Sequence, residues 1–104
     1  MNLTKEDYTN AWNTIDDSLK MNEIDFEIYV RKSIENFIRD IDMTNIENRK
    51  RVNDYLLHLS TLYLNMDLNG HLYLLGKKEK DLAQKGRLIV VEYLTKFREQ
   101  GFNV

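Results

Sequence analysis

The chain contains no proline in 104 residues. Usage of about 5% would place roughly five in a chain of this length. Proline removes a backbone donor and clashes with the preceding turn, so it breaks helix interiors. A chain without it is free to run long helices uninterrupted, and the apolar spacing uses that freedom.

Thr4-Lys5-Glu6-Asp7 sets a hydroxyl at a helix cap and acids in the first turn, a variant of the capping box. Tyr8, Ala11, Trp12, Ile15 and Leu19 follow at spacings of three and four, predicting a first helix that ends near Met21-Asn22-Glu23. A second helix is predicted from about Asp25 to Ile41. Phe26, Val30, Phe37 and Ile41 form its inner face, Tyr29, Ile34 and Ile38 flank it, and the charged residues lie mostly opposite. Thr44-Asn45-Ile46-Glu47 reads as a full capping box opening the third helix. Val52, Tyr55, Leu56, Leu59, Leu62, Tyr63 and Met66 make its inner face, widened by Leu57 and Leu64. A helix apolar over so much of its circumference is central, or it meets a second chain.

Residues 62–75 read two ways. Leu62, Leu64, Met66 and Leu68 alternate, and Asn69-Gly70 then precedes His71-Leu72-Tyr73-Leu74-Leu75, which is a hairpin signal. Continuous helical spacing from Val52 to Met66 favours a helix ending near Met66, with Gly70 as a left-handed cap. A last helix is predicted from about Lys78 to Gln100. Leu82, Gly86, Ile89, Tyr93 and Phe97 share one face, with Val90 and Leu94 beside them. Glycine on that face costs about 1 kcal/mol against alanine, so close helix contact is expected at Gly86. Lys96 and Arg98 suit the helix C-terminus, and Gly101 with Phe102 reads as its stop and hydrophobic contact.

The expected fold is therefore an antiparallel four-helix bundle over residues 1–104, one domain, with an irregular segment near 67–76. The alternative is α+β with one hairpin at about 62–75. A radius of gyration of roughly 13 Å is expected for this length.

Several chemistries are excluded or unsupported. There is no cysteine, which removes disulfides, thiolate metal sites and cysteine nucleophiles. His58 and His71 show no zinc spacing. Asp54 and His58, one turn apart, suit a local surface pair. No nucleophile elbow, phosphate loop or dinucleotide fingerprint is present. Asp16-Asp17 and Asp40/Asp42 fall where helices face water. No catalytic residue, metal ligand or cofactor site is assigned, and a non-enzyme is expected. No apolar run approaches the ~20 residues needed to span a bilayer. The polar, acidic opening Met1-Asn2-Leu3-Thr4-Lys5-Glu6-Asp7 is unlike a signal peptide, so a cytoplasmic protein is expected.

Charge is divided along the chain. Residues 1–48 carry 5 basic and 11 acidic side chains, and residues 49–104 carry 10 and 6. Either the halves pack together and align electrostatically, or one half presents a charged face to a partner. Asp16, Asp17, Glu23, Asp25 and Glu27 form an acidic strip fit for a basic protein surface. Tyr63 and Tyr73 are candidate partner contacts from the leucine- and tyrosine-rich region 62–75, since aromatics are enriched at interfaces. Tyr8, Trp12, Tyr55 and Tyr93 hold core-like positions.

Asn69-Gly70, Leu72-Tyr73-Leu74 and Lys85-Gly86-Arg87 resemble the wing and following helix of winged-helix regulators. That resemblance implies DNA binding, with Arg49, Lys50, Arg51 and Lys77 as phosphate contacts. The second helix is too long for that family. In size and plan the chain is also similar to small bacteriocin immunity proteins, without a matching motif. The favoured expectation is a non-catalytic helical protein that binds another protein, as an inhibitor, immunity or accessory factor. Its asparagine-rich, alanine-poor usage suits a phage or mobile element of an A/T-rich genome. Homodimerisation through the third helix is a further expectation, and a winged-helix transcriptional regulator is the alternative function.

Overall fold

The computed structural model describes residues 2–101, and among them every regular element is helical. Helix α1 spans Lys5–Ser18, α2 Glu23–Arg39, α3 Ile46–Leu68 and α4 Lys77–Glu99, with a 3-10 turn at Gly70–Tyr73 between α3 and α4. The four-helix expectation holds. The hairpin at 62–75 is absent, because α3 continues through that segment to Leu68. None of these helices is long and apolar enough to cross a membrane.

Cross-helix pairs fix the direction of each helix. Phe26 meets Tyr63 and Phe37 stacks on Tyr55 at 3.8 Å, so α2 and α3 run antiparallel. Gln84 reaches Asp67 and Gly86 faces Tyr63, so α3 and α4 are also antiparallel. Glu27 pairs with Lys85 and Arg31 with Glu92, which sets α2 and α4 parallel. The chain runs up, down, up, down. Its radius of gyration is 13.6 Å, and it is elongated, 42 × 25 × 19 Å.

Capping chemistry explains the boundaries. Thr4 caps α1 with the expected reciprocal bonds to Asp7. Asn22 caps α2, so that helix begins at Glu23 and ends at Arg39, two residues earlier at each end than the spacing suggested. Asn45, not Thr44, caps α3: its side chain accepts the Glu47 N–H at 2.8 Å. Thr44 instead gives its hydroxyl and its N–H to Asp42 at 2.6 and 3.0 Å. Two short polar side chains compete for one cap, and the Asp42–Thr44 turn takes the first of them. Gly101 adopts φ +84 after α4, while Phe102 lies outside the described residues.

One cluster of buried apolar side chains joins the helices. Ile15, Phe26, Val30, Ile34, Leu56, Leu59, Tyr63 and Val90 lie at its heart. The close approach expected at Gly86 is present: a Cβ there would stand 2.7 Å from the Tyr63 ring. The inward face of α1 is rotated from the apolar stripe and includes Asp7, Thr14 and Ser18. Each is satisfied. Thr14 Oγ1 donates to Asn10 O, Ser18 Oγ shares a 2.8 Å hydrogen bond with the Tyr63 hydroxyl, and Arg51 grips Asp7 through two nitrogens at 2.7 and 2.8 Å. That rotation carries Tyr8 and Trp12 to the rim, where both are exposed rather than in the core. Tyr55 is buried, as expected, and Tyr93 is half-buried.

Candidate functional site

The segment after α3 sets the geometry of the exposed apolar surface. Asn69 ends α3 by giving its N–H to Asn65 O at 2.8 Å. Gly70 is buried, with Lys80 so close that a Cβ would lie 2.9 Å from its Cε. Gly70 is not left-handed; the residue that is left-handed is Leu74, at φ 58. A bulky side chain in that region is unusual and costs roughly 1–2 kcal/mol. Leu74 nevertheless closes the 3-10 turn, its N–H meeting the Gly70 and His71 carbonyls. Its side chain is 94% exposed. Leu68 and Leu72 are also exposed.

On the flank of this turn, Tyr73 faces Trp12 of α1, with ring centroids 6.4 Å apart and planes tilted by 48°. Asn65 Nδ2 donates to the Tyr73 hydroxyl at 3.3 Å and steadies the ring. Between the rings and the α4 entrance lies an open groove of about 350 Å³. Leu19, Met66 and Leu75 line it with apolar carbon, and Asp16, Lys20 and Glu79 are its charged members. Trp12 is 42% exposed and Tyr73 45%. These are amphipathic aromatics with room to receive another side chain.

The residues of the acidic strip have partners within the chain. Asp16 pairs with Lys20 at 3.2 Å and lies on the groove. Asp17 accepts the Tyr29 hydroxyl, and Asp25 is engaged by the Asn22 cap. Glu23 and Glu27 both take Lys85 at 3.3 Å, and Glu27 also meets Arg31. Lys85 and Arg31 hold the Glu27 carboxyl below its ordinary range. Of these, the pairs of Glu23 and Glu27 with Lys85 join the acidic first half to the basic second half, as does Asp7 with Arg51. Of the two tyrosine candidates, Tyr73 is at the groove. Tyr63 is wholly buried against Gly86 and Ser18, so no partner can reach it.

The wing and phosphate-contact residues fall elsewhere. Lys85-Gly86-Arg87 lies inside α4, not at a helix entry, and no strand precedes it among the described residues. Arg51 is committed to Asp7 and sits over the Phe37 ring. Arg49 donates to the Met43 and Thr44 carbonyls, fastening the α2–α3 turn. Lys50 pairs with Glu47 and Lys77 with Asp81.

The remaining ionisable groups are also placed by packing. Asp54 accepts the Asn2 N–H, and His58 meets the Tyr8 ring edge-on at 5.0 Å, in place of the expected Asp54–His58 pair. Burial lowers the His58 pKa. Burial also pushes the Tyr55 hydroxyl up to about 12. Among the described residues no group of three or more His, Asp or Glu side chains is arranged to hold a metal ion.

The spacing argument missed Trp12 as a surface residue. The available signal was Thr14 and Ser18, whose hydroxyls can bond back to the preceding turn and so occupy an inward face. The fold places the chain among all-helical four-helix bundles. No protein family, no curated protein and no solved structure matches it.

Proposed function

We propose that this is a non-catalytic, cytoplasmic protein that binds another protein through the Trp12–Tyr73 groove. The observation that carries the reading is the pairing itself: two exposed aromatic rings flank a groove lined by Leu75 and by the edges of the buried Leu19 and Met66. Tryptophan and tyrosine concentrate binding energy when a partner buries them. Inhibitor, immunity and accessory roles all need such a surface and no reacting group. The carboxylates of the acidic strip are engaged in ion pairs, caps or hydrogen bonds, which favours recognition over acid–base chemistry.

The test is capture from an extract of the native host by the intact chain and by Trp12→Ser. A protein retained by the wild type and lost with Trp12→Ser, at unchanged circular dichroism, supports the groove. Equal retention by both contradicts it. Gel retardation of random-sequence duplex DNA at low salt, abolished by Arg49→Glu or Lys77→Glu, would favour the DNA-binding alternative. Concentration-dependent association lost with Trp12→Ser would identify the partner as a second copy.

A further inference from the structure

We infer that the outward stripe of α3 is the seam of a homodimer in which two copies of α3 pack antiparallel. Leu57, Thr61, Leu64 and Leu68 recur at spacings of four, three and four, which sets them on one line of the helix. That line is turned away from the core residues Leu56, Leu59 and Tyr63. Leu57 is 40% exposed and Leu68 65%, Thr61 is exposed, and Leu64 is half-buried. The spacing is that of a heptad seam, separate from the stripe that meets the core. Residues 55–66 contain no Lys, Arg, Asp or Glu, although the solvent face of a helix ordinarily carries them. The polar groups here are satisfied within the chain. Thr61 Oγ1 donates to Leu57 O at 2.9 Å, so a methyl is what remains to be covered. Asn65 is held by Tyr73 and Asn69, and burial against the Tyr8 ring keeps His58 uncharged at neutral pH. None of the four stripe residues lines the Trp12–Tyr73 groove.

The stripe is its own complement, and that identifies the occupant. With the two-fold axis between Thr61 and Leu64, Leu57 meets Leu68 of the second copy. Thr61 meets Leu64 of the second copy, a small side chain against a large one. Each contact occurs twice, as an isologous interface requires. On the flanks Ser60 falls opposite Asp67 and His58 opposite Asn65, so no like charges meet along the two helices. A parallel pair would set Lys50 against Lys50 and Asp54 against Asp54, since both continue the same line. The α4 margin agrees. Gln84 reaches Asp67 there, and Arg87 and Val91 follow Gln84 at spacings of three and four. Arg87 is opposite in sign to Asp67, and Val91 is an exposed apolar side chain.

The test is sedimentation equilibrium of the full chain over a range of concentrations. Two stripes about 17 Å long bury on the order of 1,000 Å² together, so a dimer with micromolar dissociation is expected. Leu57→Lys should weaken it about tenfold or more, as should Leu68→Glu. The two variants mixed should associate again, because the introduced charges then oppose each other across the seam. Thr61→Glu, at an exposed position, is the disrupting variant to use if Leu57→Lys alters the circular dichroism. Trp12→Ser should leave association unchanged, which separates this seam from the groove. A wild type that stays monomeric up to about 1 mM overturns the inference. So does association that survives the seam substitutions, association lost with Trp12→Ser, or a mixture that associates no better than each variant alone.

Discussion

Asp7 shows how much a single side chain can decide. It is almost wholly buried, caps α1 by accepting the Thr4 N–H, and is held by Arg51 through two nitrogens. The Arg51 hydrogen bonds keep its carboxyl below the ordinary value of 3.8, against the opposing effect of burial. A group with a depressed folded pKa contributes fully above its unfolded value and loses that contribution as pH falls through the folded one. Asp7→Asn should therefore cost about 2 kcal/mol near neutrality, less than a fully buried pair because Arg51 is partly exposed. In urea titrations the gap from wild type should stay constant down to about pH 5 and narrow in acid. A gap that widens in acid would contradict the assignment. Leu74 makes the opposite prediction. Its left-handed backbone suits glycine, and its exposed side chain contributes little burial. Leu74→Gly should raise stability by about 0.5–1 kcal/mol, read as a higher urea midpoint.

At the scale of elements, caps and close contacts set the boundaries. Asn45→Ala should cost about 1 kcal/mol in thermal or urea unfolding, because it removes the acceptor for the first turn of α3. Thr44→Ala should cost less, since its hydroxyl serves the Asp42 turn. Gly86→Ala would gain helix propensity in an open site, but here it drives a methyl into Tyr63. It should destabilise by about 1–3 kcal/mol, and a neutral result would show that the ring can retreat. The spacing of apolar residues was enough to place the four helices and the approach at Gly86. It misplaced the α3 cap because Thr44 and Asn45 are chemically equivalent candidates, and only the competing bond to Asp42 separates them. It mistook the face of α1 because three buried polar residues, Asp7, Thr14 and Ser18, carry no apolar signal. Alternation at 62–68 suggested a strand, but a helix that leaves Leu62 and Leu64 half-buried and Leu68 exposed produces the same pattern.

For the whole molecule, part of the divided charge of the sequence is spent on the chain itself. Lys85, Arg31 and Arg51 tie the first half to the second. Exposed apolar side chains remain, among them the Trp12–Tyr73 groove and the leucines near the 3-10 turn, with others at Ile28 on α2 and Leu88 on α4. Tyr73 was legible as a surface candidate because it follows the Asn69-Gly70 break. Trp12 became one only when the long-range packing of α1 was in place. The account's central claim is that the molecule meets a protein through the groove. The most direct measurement is photo-crosslinking in the native host, with benzoylphenylalanine replacing Tyr73 and, as a control, Asn53 on α3, away from the groove. The account predicts a discrete protein adduct from position 73 that disappears when Trp12→Ser is added. Identical adducts from both positions, or an adduct at position 73 that survives Trp12→Ser, would contradict it.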